Sequence, residues 1–73
     1  MPDEISKRHL ALAKRHVEKG ERLVQEQQQR VEYLEINGHD TASSKRFLEL
    51  LIQTLALMRE HLAQLEREQG PAR

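Results

Sequence analysis

Apolar and small residues step alternately by three and four along the first half of the chain: Leu10, Ala13, Val17, Gly20, Val24, Gln27, Val31, Leu34. With the first of each pair called a and the second d, the repeat holds for four heptads, the pattern of one helix packed on another. Ile5, Leu12 and Leu23 extend this seam to a stripe about 160° wide. The second half repeats the pattern in Leu48, Leu51, Leu55, Met58, Leu62 and Leu65. Between the two runs lies Ile36-Asn37-Gly38-His39-Asp40-Thr41. Gly38 suits the left-handed position just past a helix, and Asp40 or Thr41 can cap the next one, with Ser43 and Ser44 as further acceptors. At the far ends, Asp3, Glu4 and Ser6 follow Pro2 as helix-start signals, and Gly70-Pro71 stops the second helix.

A connection of two to four residues forces neighbouring helices to run antiparallel. The seam itself gives a second estimate of the crossing point. Pairing a positions as 31/48, 24/55, 17/62 and 10/69, and d positions near 27/51, 20/58 and 13/65, centres the turn between residues 39 and 40, where the cap signals already lie. The expected fold is all-α: one antiparallel two-helix hairpin domain spanning 1–73, with helices at about 3–37 and 41–69 and frayed ends at 1–2 and 70–73. Gly20 opposite Met58 makes volumetric sense, an adaptable side chain facing the smallest residue. Gln27 is expected at the edge of the seam with its amide reaching water, the alternative being a polar contact that sets the register. Glu4/Arg8, Glu18/Arg22 and Glu26/Arg30 are spaced as surface pairs along the first helix.

The second helix carries more apolar surface than one partner covers. Phe47, Leu50 and Leu57 flank its seam on one side and Ile52 on the other, an arc of about 220°. The surplus predicts a homodimer forming a four-helix bundle of coiled-coil type, with a tetramer as the competing assembly. The predicted interface is Phe47, Leu50, Leu51, Thr54, Leu57, Met58, His61 and Leu65.

Composition narrows the picture without naming an activity. Seventy-three residues make one small domain, and a core of that size seldom supplies more than about 3–5 kcal/mol, so such chains usually need a staple or a partner. There is no cysteine to supply a disulfide. Twelve basic and twelve acidic side chains cancel, so no global charge draws the chain to nucleic acid or anionic lipid. The acidic lead Met-Pro-Asp-Glu-Ile has no apolar core of a signal peptide, and no run approaches a membrane span. A cytoplasmic location is the expectation.

Candidate chemistry is thin. His16 and His61 should be near neighbours across the hairpin, with His9 one heptad away, but three or four ligands in tetrahedral reach are wanting, so no metal and no cofactor is expected. No titratable cluster suggests an enzyme. Residues 7–22 hold Lys7, Arg8, Lys14, Arg15, Lys19 and Arg22 against Glu18 and Glu21. Within them Arg8, Arg15, Lys19 and Arg22 form a candidate phosphate-contacting strip, though no aromatic interleaves it for base stacking.

The turn Asn37-Gly38-His39-Asp40-Thr41-Ala42, together with the run from Leu48 to Leu65 that holds Leu57-Met58-Arg59-Glu60-His61, resembles a family of small uncharacterised bacterial proteins. These place a Gly-His-Asp-Thr turn between two helices. The resemblance covers about residues 16–67. It implies a helical hairpin (turn Gly38, His39, Asp40, Thr41) and no activity. In architecture only, the chain also resembles the Rop-type plasmid regulators, whose dimerised hairpins bind paired RNA loops. The expected role is a non-enzymatic, self-associating helical hairpin serving as an interaction or regulatory adaptor, with an RNA- or DNA-binding bundle as the alternative.

Overall fold

A computed structural model describes residues 2–69 of the chain, with side chains from Glu4 onward. Helix α1 runs Pro2–Ile36 and helix α2 runs Ala42–Gln69, packed against each other as an elongated hairpin with extents of 56 × 18 × 14 Å. Helix α1 opens one residue earlier than the cap signals suggested and closes one residue earlier. A proline is tolerated in a first turn because its missing N–H has no intrahelical partner to lose. Helix α2 likewise starts at 42 rather than 41. The stop at Gly70-Pro71 lies outside the described residues.

The turn is built by backbone hydrogen bonds that use the left-handed Gly38, φ 73°. The His39 N–H donates to the Leu34 carbonyl (2.9 Å), and the Gly38 N–H to the Glu35 carbonyl (3.1 Å). Together they satisfy two carbonyls the helix end leaves open, the Schellman arrangement. The Asn37 side chain adds a bond from Nδ2 to the Tyr33 carbonyl (2.7 Å). Capping of α2 is divided between the two expected residues. Asp40 Oδ1 accepts from the Ala42 N–H (3.0 Å), while Thr41 offers its carbonyl to Lys45 N–H (2.9 Å), the first bond of the helix.

Burial follows the heptads. Ala13, Val17, Gly20, Val31 and Leu55 are buried, and the other a and d residues from Leu10 to Leu65 are half-buried. The register is fixed at Gly20. A Cβ built there would lie 3.1 Å from Leu55 Cδ1 and 3.5 Å from Met58 Cε, so Leu55 and Met58 fill the space a side chain would take. Gln27 departs from the expectation of a solvated amide. Its Nε2 donates to the Ser44 carbonyl (3.0 Å), a polar tie from mid-α1 to the first turn of α2. The half-buried amide finds a backbone acceptor, which removes most of the cost of desolvating it. Ile5, Leu12 and Leu23 stay 39–59% exposed, so they flank the helix contact instead of widening it.

Candidate functional site

Two long faces run along the hairpin, one on each side of the seam. On one, positions e of both helices (the residue after d) line a groove of about 440 Å³ formed by Glu21, Val24, Gln25, Gln28, Ile52, Leu55, Ala56 and Arg59. Both ion pairs found among the described residues cross the hairpin here. Arg59 meets Glu21 at 3.0 Å, and Lys45 meets Glu35 at 2.7 Å. The same antiparallel register puts Lys14 and Glu66 at the next rung. The local pairs expected along α1 are thus not the ion pairs that form. Antiparallel packing offers Glu21 and Glu35 cationic partners on α2. All four side chains are about half exposed, so each pair contributes about 0–1 kcal/mol.

The other face is formed by positions g and c, the residues before a and before d. Its groove, about 230 Å³, is lined by Ala13, His16, Thr54, Leu57, Met58 and His61. A shallower one beside it is lined by His9, Leu12, Ala13, His16 and His61. The cross-helix neighbours expected from the register, His16 and His61, therefore do share a groove. No group of three or more His, Asp or Glu side chains among the described residues is placed to hold a metal ion.

Along this face lie Ile5 (59% exposed), Leu12 (49%), Leu23 (39%), Tyr33 (64%), Phe47 (51%), Leu50 (57%) and Leu57 (65%). They are seven of the nine large apolar side chains left open to water among the described residues; Ile52 lies on the opposite face and Ile36 at the turn end. Of the interface residues expected from sequence, Phe47, Leu50, Thr54, Leu57 and His61 stand here in the open. Leu51, Met58 and Leu65 sit half-buried in the seam beneath. The Thr54 hydroxyl donates to the Leu50 carbonyl (2.9 Å), so Thr54 presents its methyl with its donor already satisfied. What the sequence reading lacked was the contribution of α1. Ile5, Leu12 and Tyr33 share one heptad position, on the same face of the hairpin as Leu50 and Leu57.

The amount of exposed surface is itself informative. The chain presents 5940 Å² to solvent at a mass of 8.6 kDa. A compact monomer of that mass would present about 4,700 Å², and a rod of 56 × 18 × 14 Å exposes more than a compact body of the same mass. A standard protein interface removes about 800 Å² from each partner. No described side chain is fully buried; the most enclosed large apolar residue is Leu55, at 5%.

The basic strip divides between two directions. Arg8, Arg15 and Arg22 repeat every seven residues on the outer side of α1, away from α2 and fully in the open, whereas Lys19 is turned toward the apolar face. Among the described residues no helix is long and apolar enough to cross a membrane.

These features define the class of protein at hand: an all-α antiparallel helical hairpin with one charged and one apolar long face. Comparison with protein-family models, with curated proteins and with solved structures finds no match to this chain.

Proposed function

We propose that this protein is a non-enzymatic helical hairpin that associates with a second copy of itself through its apolar long face. The resulting four-helix bundle then works as an interaction or regulatory adaptor. The observation that carries this reading is the line of seven exposed large apolar side chains on one face. Full burial of each is worth about 1.5–3 kcal/mol, so covering even half of them rivals the net stability of a chain this small. Both helices contribute to that face, so a covered face would also hold the hairpin closed. Hairpin and dimer would then fold together. A patch of this size rimmed by polar residues marks an association site more often than an accident of surface.

Sedimentation equilibrium and thermal unfolding of the wild-type chain test this directly. The expected result is a dimer at micromolar concentration, with a melting temperature that rises with protein concentration. A monomer that melts at one temperature across a hundredfold dilution would overturn the reading. The arginine strip gives the competing role: Arg8, Arg15 and Arg22 face outward, clear of the apolar face. Binding to random RNA that weakens steeply with salt would replace the adaptor role with a nucleic-acid one.

A further inference from the structure

Resting on the self-association reading above, we propose that the second copy docks with its turn at the opposite end. In this arrangement α1 lies antiparallel on α1 of the second copy and α2 on its α2. Lys19 of each copy then pairs with Glu26 of the other.

Two closed, two-fold arrangements bring one apolar face onto another copy of itself. With both turns at the same end, symmetry fixes the level of every residue, and α1 lies over α2 of the second copy. Tyr33 then meets Phe47 and Leu23 meets Leu57. But Glu26 falls among Leu50, Thr54 and Leu57, and Lys19 faces the level of His61, where no carboxylate stands; Glu68, on the same line of α2, lies one heptad further along. A charge pressed onto apolar surface loses hydration without compensation.

With turns at opposite ends, the register is free to slide, and the c positions of α1 decide it. They read Ile5, Leu12, Lys19, Glu26, Tyr33. Laid antiparallel on itself, this line matches in one register: Lys19 on Glu26 and Leu12 on Tyr33, each twice by symmetry. A slip of one heptad in one direction stacks Lys19 on Lys19 and Leu12 on Glu26. A slip in the other stacks Glu26 on Glu26 and Lys19 on Tyr33. Like charges facing across an interface are penalised, so charge selects the register while apolar area supplies the attraction.

The same two-fold axis suits α2. The contacts of Gly20 with Leu55 and Met58 set the relative level of the helices. The midpoint between Lys19 and Glu26 therefore lies close to the level of Thr54 and Leu57, and Leu57, the most exposed leucine of the hairpin at 65%, packs near its own copy at the axis. Neither Lys19 nor Glu26 belongs to the two ion pairs within the hairpin, so both are available to a second copy.

The test is charge exchange. Lys19→Glu and Glu26→Lys are prepared separately, and circular dichroism establishes that each remains helical, as exposed positions should allow. Each variant alone faces two like-charged pairs per dimer, and its dissociation constant is expected to rise about tenfold or more. Mixed in equal amounts, the two variants should recover wild-type affinity, because every 19–26 contact in the mixed dimer is again of opposite sign. A wild-type dimer whose variants associate unchanged, or whose mixture gains nothing, overturns the register while leaving self-association intact. A monomeric wild type overturns the underlying reading instead.

A second measurement uses the absence of native cysteine. Leu57→Cys alone should oxidise to a covalent dimer. Cross-linking confined to mixtures of Leu23→Cys with Leu57→Cys would show the turns at the same end and overturn the proposal.

Discussion

The two long faces of this hairpin flank one seam and are built from the same two helices, yet they carry opposite chemistry. On one, the antiparallel rungs at e bring together unlike charges: Glu21 with Arg59, Glu35 with Lys45. On the other, His16 and His61 share a groove flanked by Leu12 and Leu57, with Leu23 and Leu50 exposed along the same face. The first face settles a question inside the chain. A slipped hairpin would set like charges against each other, so charge there favours one register at little cost in stability. On the second face neither of these ion pairs forms, so within the hairpin it has no such rung, and its Lys19 and Glu26 discriminate only between arrangements of two copies. It offers apolar area, and area without direction is what association draws on. Separating the two tasks leaves the apolar face free for a partner, because register is already specified elsewhere.

The largest effect should come from charging the apolar face. Leu50→Glu combined with Leu57→Glu would place two carboxylates per copy in the proposed interface, and the dimer is expected to disappear at micromolar concentration along with most of the helical stability. Sedimentation and circular dichroism report both. Matched neutralisation on the other face, Glu21→Gln with Lys45→Gln, should leave the mass unchanged and cost less than about 2 kcal/mol, since each exposed pair contributes about 1 kcal/mol at most. If the leucine variant keeps its mass and its melting curve, the apolar face is not where two copies meet.

An intermediate effect is expected at the seam the faces share. Gly20→Leu improves helix propensity by somewhat less than about 1 kcal/mol. It also drives a branched side chain into atoms that already lie 3.1 Å from the position of its first carbon. Overpacking of this sort usually costs about 1–3 kcal/mol, so the variant should melt earlier by chemical denaturation. A more stable variant would mean that the helices can part at Gly20 without loss, and both faces would then be less well ordered than drawn.

The smallest effect should come from the turn, on which the level of both faces depends. Gly38 has open space around it, so Gly38→Val meets no clash with neighbouring atoms, only the strain of a β-branched residue at φ 73°. That strain is worth about 1–2 kcal/mol. The denaturation midpoint should fall with no change in slope. An unchanged midpoint would show that the loop relaxes freely and that the e rungs alone hold the register.

Much of this fold was written in the linear pattern. A heptad repeat leaves a helix no other way to bury Leu10, Val17, Val31 and Leu55. A glycine followed by an aspartate and a threonine is also a sufficient instruction to end one helix and start another. Since helix geometry is local and periodic, these features are fixed before any tertiary contact exists. Even the pairing along the seam could be counted, since Gly20 meets Met58 and His16 meets His61 as the heptads require; what tertiary structure decided is how the residues outside the seam are divided between the two faces and which polar groups find partners. Only once folded do Ile5, Leu12, Leu23 and Tyr33 join Phe47, Leu50 and Leu57 in one face; the ion pairs cross between helices, Glu21 to Arg59 and Glu35 to Lys45, instead of forming within α1 at Glu4/Arg8, Glu18/Arg22 and Glu26/Arg30; and Gln27 finds the Ser44 carbonyl instead of water. Position along a helix can be counted from sequence. Proximity between helices depends on their crossing and axial level, which the close approach at Gly20 sets.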